Sequence, residues 1–173
     1  MPLRRCLPVI ALALAACGAA PAEVATRLDP RAADYAGLRV FLTLPEGQAP
    51  APGFPVLTLR VQQEARAART GTARLVRVPD PRGPGAYAVA REDLAGLAAL
   101  SEAVVNADGS GSAAVSIGVE TCRMGPAGGG ALTVALAAPD DPRPLPLLRA
   151  GDAPGAAPGA AVIADLDAKA PCP

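Results

Sequence analysis

Histidine is missing from all 173 residues. Its absence removes Ser-His-Asp and Cys-His catalysis, imidazole acid–base chemistry and the usual zinc and haem sites. Lysine occurs once, at Lys169, and the four serines, Ser101, Ser110, Ser112 and Ser116, show no nucleophile-elbow pattern, so a serine–lysine pair is not supplied either. There is no tryptophan, and the aromatic residues are Tyr35, Phe41, Phe54 and Tyr87 alone. A core must therefore be built from Val, Leu, Ile and Ala, and little is left for stacking on sugars or bases. An excess of one charge is lacking too, with 16 basic and 16 acidic residues. A phosphate-binding surface needs a basic excess, so nucleic acid is not an expected partner.

What is present begins with Met1-Pro-Leu-Arg-Arg5, a short positive end, followed by the charge-free run Leu7-Pro-Val-Ile-Ala-Leu-Ala-Leu-Ala-Ala16. As a helix those ten residues would rise about 15 Å, against roughly 30 Å for a bilayer interior. They suit the apolar core of an export signal and not a membrane span. The run ends in Leu14-Ala15-Ala16-Cys17, a branched apolar residue, two small ones and a cysteine. This resembles the lipobox of bacterial lipoproteins, and the resemblance is confined to the first eighteen residues. It implies cleavage before Cys17, a diacylglyceryl group on its thiol and fatty acylation, for instance palmitate, of the freed amine. One such chain holds a protein reversibly, whereas two or three anchor it stably. Gly18, where an Asp would favour inner-membrane retention, implies the outer membrane, facing the periplasm. Two other interpretations use the same residues: an ordinary signal peptide cut near Ala20-Pro21-Ala22, and a twin-arginine signal at Arg4-Arg5, whose flanks fit poorly and which Cys6 follows directly.

Removing residues 1–16 takes away Arg4 and Arg5, leaving 14 basic against 16 acidic groups. The remaining length suits one domain with a real core. Of four cysteines, Cys6 leaves with the signal and Cys17 is consumed by lipid, leaving Cys122 and Cys172. In an oxidising compartment such a pair joins, so a Cys122–Cys172 disulfide is expected. Two thiols without a nearby histidine make a poor metal site, and neither metal nor cofactor is expected.

Residues 17–35 show no sustained period and read as lipidated cysteine and tether, with a single domain following over 36–173. Short β-branched or alternating stretches predict strands at Leu38–Leu44, Pro55–Gln62, Ala73–Val78, Ala86–Ala90, Ala113–Cys122 and Ala131–Ala137, with a last apolar run at Ala161–Ala164. Turn chemistry separates them at Pro79-Asp-Pro-Arg-Gly-Pro-Gly85 and at 125–130. Leu94, Leu97, Leu100 and Val104 fall at helical spacing, with Glu92 and Asp93 where a helix start favours negative charge, so one helix is predicted over 92–105. The Pro/Ala/Gly-rich stretch 139–160 is expected to be a surface excursion that includes Leu145–Leu148. These elements define a mainly-β, sandwich-like single domain with one short helix.

Three patterns bear on chemistry. Glu120 lies on a predicted strand, and Asp165 with Asp167 would share a strand face; paired carboxylates can hydrolyse glycosides, though solvated strand faces explain all three more simply. Asn106-Ala-Asp108-Gly-Ser110-Gly111-Ser112 partly resembles a calcium-binding EF-hand loop, but position twelve is Ile117 and supplies no carboxylate, so a helix end and glycine turn explain it. From 60 to 91 there are seven arginines against Glu64 and Asp80. If Arg60, Arg74 and Arg77 share a face, they are the expected contact for an anionic partner; the simpler account sets basic strands against acidic ones within the domain.

No catalytic set emerges from these residues, so the chain is expected to be no enzyme. The leading expectation is a non-catalytic envelope lipoprotein that supports assembly or binds a protein partner. A small-ligand or cell-wall-binding module comes second, and a carboxylate-dependent hydrolase third.

Overall fold

The computed structural model describes residues 33–62, 67–105, 112–126, 128–139, 141, 143–148, 156–157, 160–165 and 170–173. The lipobox, the tether as far as residue 32, residues 106–111 and Asp167 lie outside them. The elements in chain order are β1 (Arg39–Thr43), β2 (Gln48–Pro50), β3 (Val56–Gln62), β4 (Arg69–Arg77), β5 (Ala86–Val89), a 3-10 turn (Arg91–Asp93), α1 (Leu94–Val105), β6 (Ser112–Arg123), β7 (Thr133–Ala137), β8 (Leu145–Leu148), β9 (Ala156–Ala157) and β10 (Ala160–Asp165). The domain is mainly β and sandwich-like with one short helix, as the alternation predicts.

The strands join in the order β8-β7-β1-β5-β4-β3-β6-β10-β9, with β2 pairing separately to β6. Neighbours run antiparallel except β10, which lies parallel to β6 from Ala160↔Val115 to Asp165↔Glu120. The sheet curls until β10 meets β8, so inward side chains from both halves pack on one another. Alternation decides which side chains these are. On β3, Leu57, Leu59 and Val61 are buried between the more exposed Thr58, Arg60 and Gln62. On β6, Val115, Ile117 and Val119 are buried in the same way. With Val40, Leu42, Leu75, Val134, Leu136, Leu148 and Val162 they form one core.

Helix α1 packs against β4, β3 and β6. Leu97 is buried, and Leu94 and Leu100 pack against the same core. Its seat is a glycine: a Cβ at Gly71 would collide with Leu100 Cδ1. Glu92 and Asp93 do not begin α1 itself but lie in the 3-10 turn before it.

Two expectations change. Leu145–Leu148 is not part of a surface excursion but strand β8, antiparallel to β7 with an irregularity between Val134 and Ala135. Proline at 146 fits because β8 ends the sheet order, and an end strand needs donors on one side only. At the other boundary Tyr35, assigned to the tether, is 5% exposed and belongs to the core. The Asp34 carboxylate accepts the Ala36 and Gly37 N–H groups, forming the turn that brings Tyr35 inward.

Candidate functional site

The most developed polar arrangement grows from the turn between β4 and β5. Proline and glycine at 79, 81, 83, 84 and 85 hold that turn in a fixed shape, and Gly85, at φ +75°, has the Leu42 carbonyl oxygen 2.5 Å from where a Cβ would sit. Within it the Asp80 carboxylate is 6% exposed. Arg82 donates to it twice, from Nε and NH2, each at 2.9 Å, and the Arg82 backbone N–H adds a third bond at 2.9 Å. Arg39 Nε approaches from β1 at 3.6 Å. The remaining Arg82 nitrogen donates to the Ala138 and Asp141 carbonyls at 3.1 and 3.2 Å. Its guanidinium stands 5.6 Å from the centre of the Phe41 ring.

These bonds lower the Asp80 carboxyl from 3.8 to about 2, chiefly through the Arg82 side chain and then its backbone N–H, against a smaller opposing effect of burial. The same side-chain bond raises Arg82 above its ordinary value. With every guanidinium nitrogen and both carboxylate oxygens engaged, the pair serves to tie β1, the β4–β5 turn and the 138–141 segment together. Beside it Arg77, Val78, Pro79, Asp80, Gly83, Pro84 and Gly85 line an open depression of about 500 Å³.

The three arginines singled out by sequence occupy two faces. Register pairs Arg60 with Thr70, Thr58 with Thr72 and Val56 with Arg74, so Arg60 and Arg74 share the outward face of β3 and β4. Four residues of strand separate their rows, about 13 Å at ordinary rise. Between them the Thr58 and Thr72 hydroxyls lie 3.5 Å apart. Arg77 pairs with Tyr87 on the opposite face, at the end of β4, and lines the depression instead. Arg74 is also engaged already: its side chain pairs with Glu92 and with Asp93 at 3.8 Å, while its backbone N–H donates to Asp93 at 2.8 Å. The expected internal pairing of basic strands with later acidic residues thus holds at Arg74. Arg60 is exposed and makes no ion pair among the described residues.

Cys122 and Cys172 are joined, their Cα atoms 5.0 Å apart. Cys122 is 5% exposed, and its sulfur faces the Ala49 and Pro50 carbonyls on β2 at 3.7 and 3.6 Å. Cys172 is half-buried in the otherwise exposed segment 170–173. Backbone bonds hold that segment in place: Arg123 donates to Ala170 and Cys172 donates to Arg123, both at 2.9 Å.

Glu120 and Asp165 are register partners on neighbouring strands. Among the described residues no three Asp, Glu, Cys or His side chains gather as a metal site, and no helix is long and apolar enough to cross a membrane.

The Asp80–Arg82 knot is the feature that composition does not announce. Its sequence signal is an acid and an arginine two positions apart inside a proline- and glycine-rich turn, where the backbone cannot swing them apart. No family model matches the chain, and neither does any curated protein or solved structure. What the geometry defines is a class: a curled, mainly-β, disulfide-linked domain.

Proposed function

We propose that the chain is an exported lipoprotein, anchored through lipid on Cys17, whose β domain is a non-catalytic envelope assembly or protein-binding module. The observation that carries the proposal is Leu14-Ala15-Ala16-Cys17 at the end of a positively started apolar run. The Cys122–Cys172 disulfide supports it, because such bonds persist in oxidising compartments such as the periplasm. The missing histidine and single lysine favour binding over catalysis. Changing Cys17 to Ser should release the protein from membranes; a variant that still floats with them at an unchanged mass overturns the anchor.

Within this proposal Arg60 is the residue to test for partner contact, since Arg74 already has acidic neighbours. In-cell crosslinking should capture a stoichiometric envelope protein, and Arg60→Glu should abolish the capture while leaving the melting midpoint unchanged. Capture that survives the reversal removes Arg60 from the interface. The depression beside Arg77 favours a second reading, a small-ligand or cell-wall-binding module. Its test is equilibrium binding of soluble peptidoglycan fragments, with Arg77→Ala expected to weaken it.

A further inference from the structure

The two halves of the disulfide stand in very different surroundings. Cys122 belongs to β6, is 5% exposed, and is walled by the Ala49 and Pro50 carbonyls of β2. Cys172 is partly open to solvent between Pro171 and Pro173, both exposed. The segment carrying it adds to β6 through the Arg123↔Pro171 bridge, extending the parallel pairing that β10 makes further along the same strand. The two backbone bonds on either side of that bridge involve no sulfur. They can hold position 172 against position 122 before any S–S bond exists.

From this geometry we infer that Cys172 is a thiol–disulfide exchange site: the external partner is met at Cys172, and Cys122 closes the bond from inside. The oxidant is a disulfide of the glutathione or dithiol-oxidoreductase class. The Cys172 thiolate attacks one of its sulfurs, forming a mixed disulfide and expelling one thiolate. The Cys122 thiol, after losing its proton to water, then attacks the Cys172 sulfur and expels the second. Two protein thiols become one disulfide, the oxidant's disulfide becomes two thiols, and the electron pair leaves with them. Exchange needs a straight approach to the sulfur under attack, and Cys172 is the more exposed of the two cysteines. Reduction reverses the order and again begins at Cys172. The inference stands on the disulfide and does not depend on the lipid anchor.

The test uses the full chain with Cys6→Ser and Cys17→Ser, so that the two sulfurs of interest are alone. With Cys122→Ser added, oxidised glutathione should form a mixed disulfide at Cys172 about tenfold faster or more than it does at Cys122 when Cys172→Ser is added instead. Equal rates, or a faster Cys122, overturn the assignment. Should either variant fail to fold, the chain retaining both cysteines is reduced under native conditions, exposed to limiting oxidised glutathione and acid-quenched early. Peptide mapping should then find glutathione on the Cys172 peptide; finding it on the Cys122 peptide overturns the inference.

Discussion

Asp80 is a carboxylate nearly closed off from water yet held ionised, because the Arg82 guanidinium and backbone N–H and the Arg39 side chain all face it. Its proton affinity is lower in the fold than in the open chain, so the pairing stabilises the fold fully above the ordinary carboxyl range and loses that contribution as pH falls toward about 2. Denaturant titrations of the protein and of Asp80→Asn should therefore differ by a constant amount from neutral pH down to about pH 5, then converge on further acidification. A gap that stays constant to pH 2 would remove Asp80 as its source. Gly85 makes a second prediction at this scale. Its positive φ and the Leu42 carbonyl oxygen at 2.5 Å leave no room for a methyl group. Gly85→Ala should cost about 1–3 kcal/mol or more, measured by urea unfolding.

Elements of this protein were legible wherever an apolar period survived in the sequence. Leu57, Leu59 and Val61 mark β3, and Val115, Ile117 and Val119 mark β6, because each inward position carries a branched side chain. The first half of β4 was hidden for a specific reason. Its inward position is Gly71, so Thr70-Gly71-Thr72 shows no apolar alternation, and Leu100 of α1 fills the space a side chain would have taken. β2 is three residues ending in proline, too short to carry a period, and exists only because β6 runs past β3 and offers it a partner. β8 was masked by Pro146, which an end strand tolerates. The helix–glycine seat predicts two outcomes. Leu97→Ala should destabilise by about 2–5 kcal/mol through the cavity left in the core. Gly71→Ala should cost about 1–3 kcal/mol by pushing Leu100 aside, and Leu100→Ala combined with it should recover part of that loss. Of the arginine-rich stretch, counting showed the excess, but only strand register could divide Arg60 and Arg74 from Arg77.

For the molecule as a whole, the disulfide closes a separation of 50 residues. On the chain-entropy account that constraint is worth about 4 kcal/mol. Unfolding of the protein with and without reductant should differ by roughly that amount; a negligible difference would overturn the chain-entropy account of this link. This link could be read from the sequence because bookkeeping of four cysteines left only two. The curl of the sheet could not, since it depends on which strand comes to lie beside which, and β6 finds neighbours from both much earlier and much later parts of the chain.

That placement of β6 has a consequence for damaged copies of the protein. Among the described residues, the flank of β6 from Val115 to Glu120 is covered by β10 alone, the last strand in chain order. A chain cut short before residue 160 would keep nearly all of its core-forming strands yet display a long, valine-rich ribbon of unused N–H and C=O groups. Such a ribbon templates the addition of another strand. Premature termination in this region should therefore yield self-associating particles rather than merely unstable monomers, and the final strand acts, in effect, as the sheath that keeps one molecule from zipping onto the next.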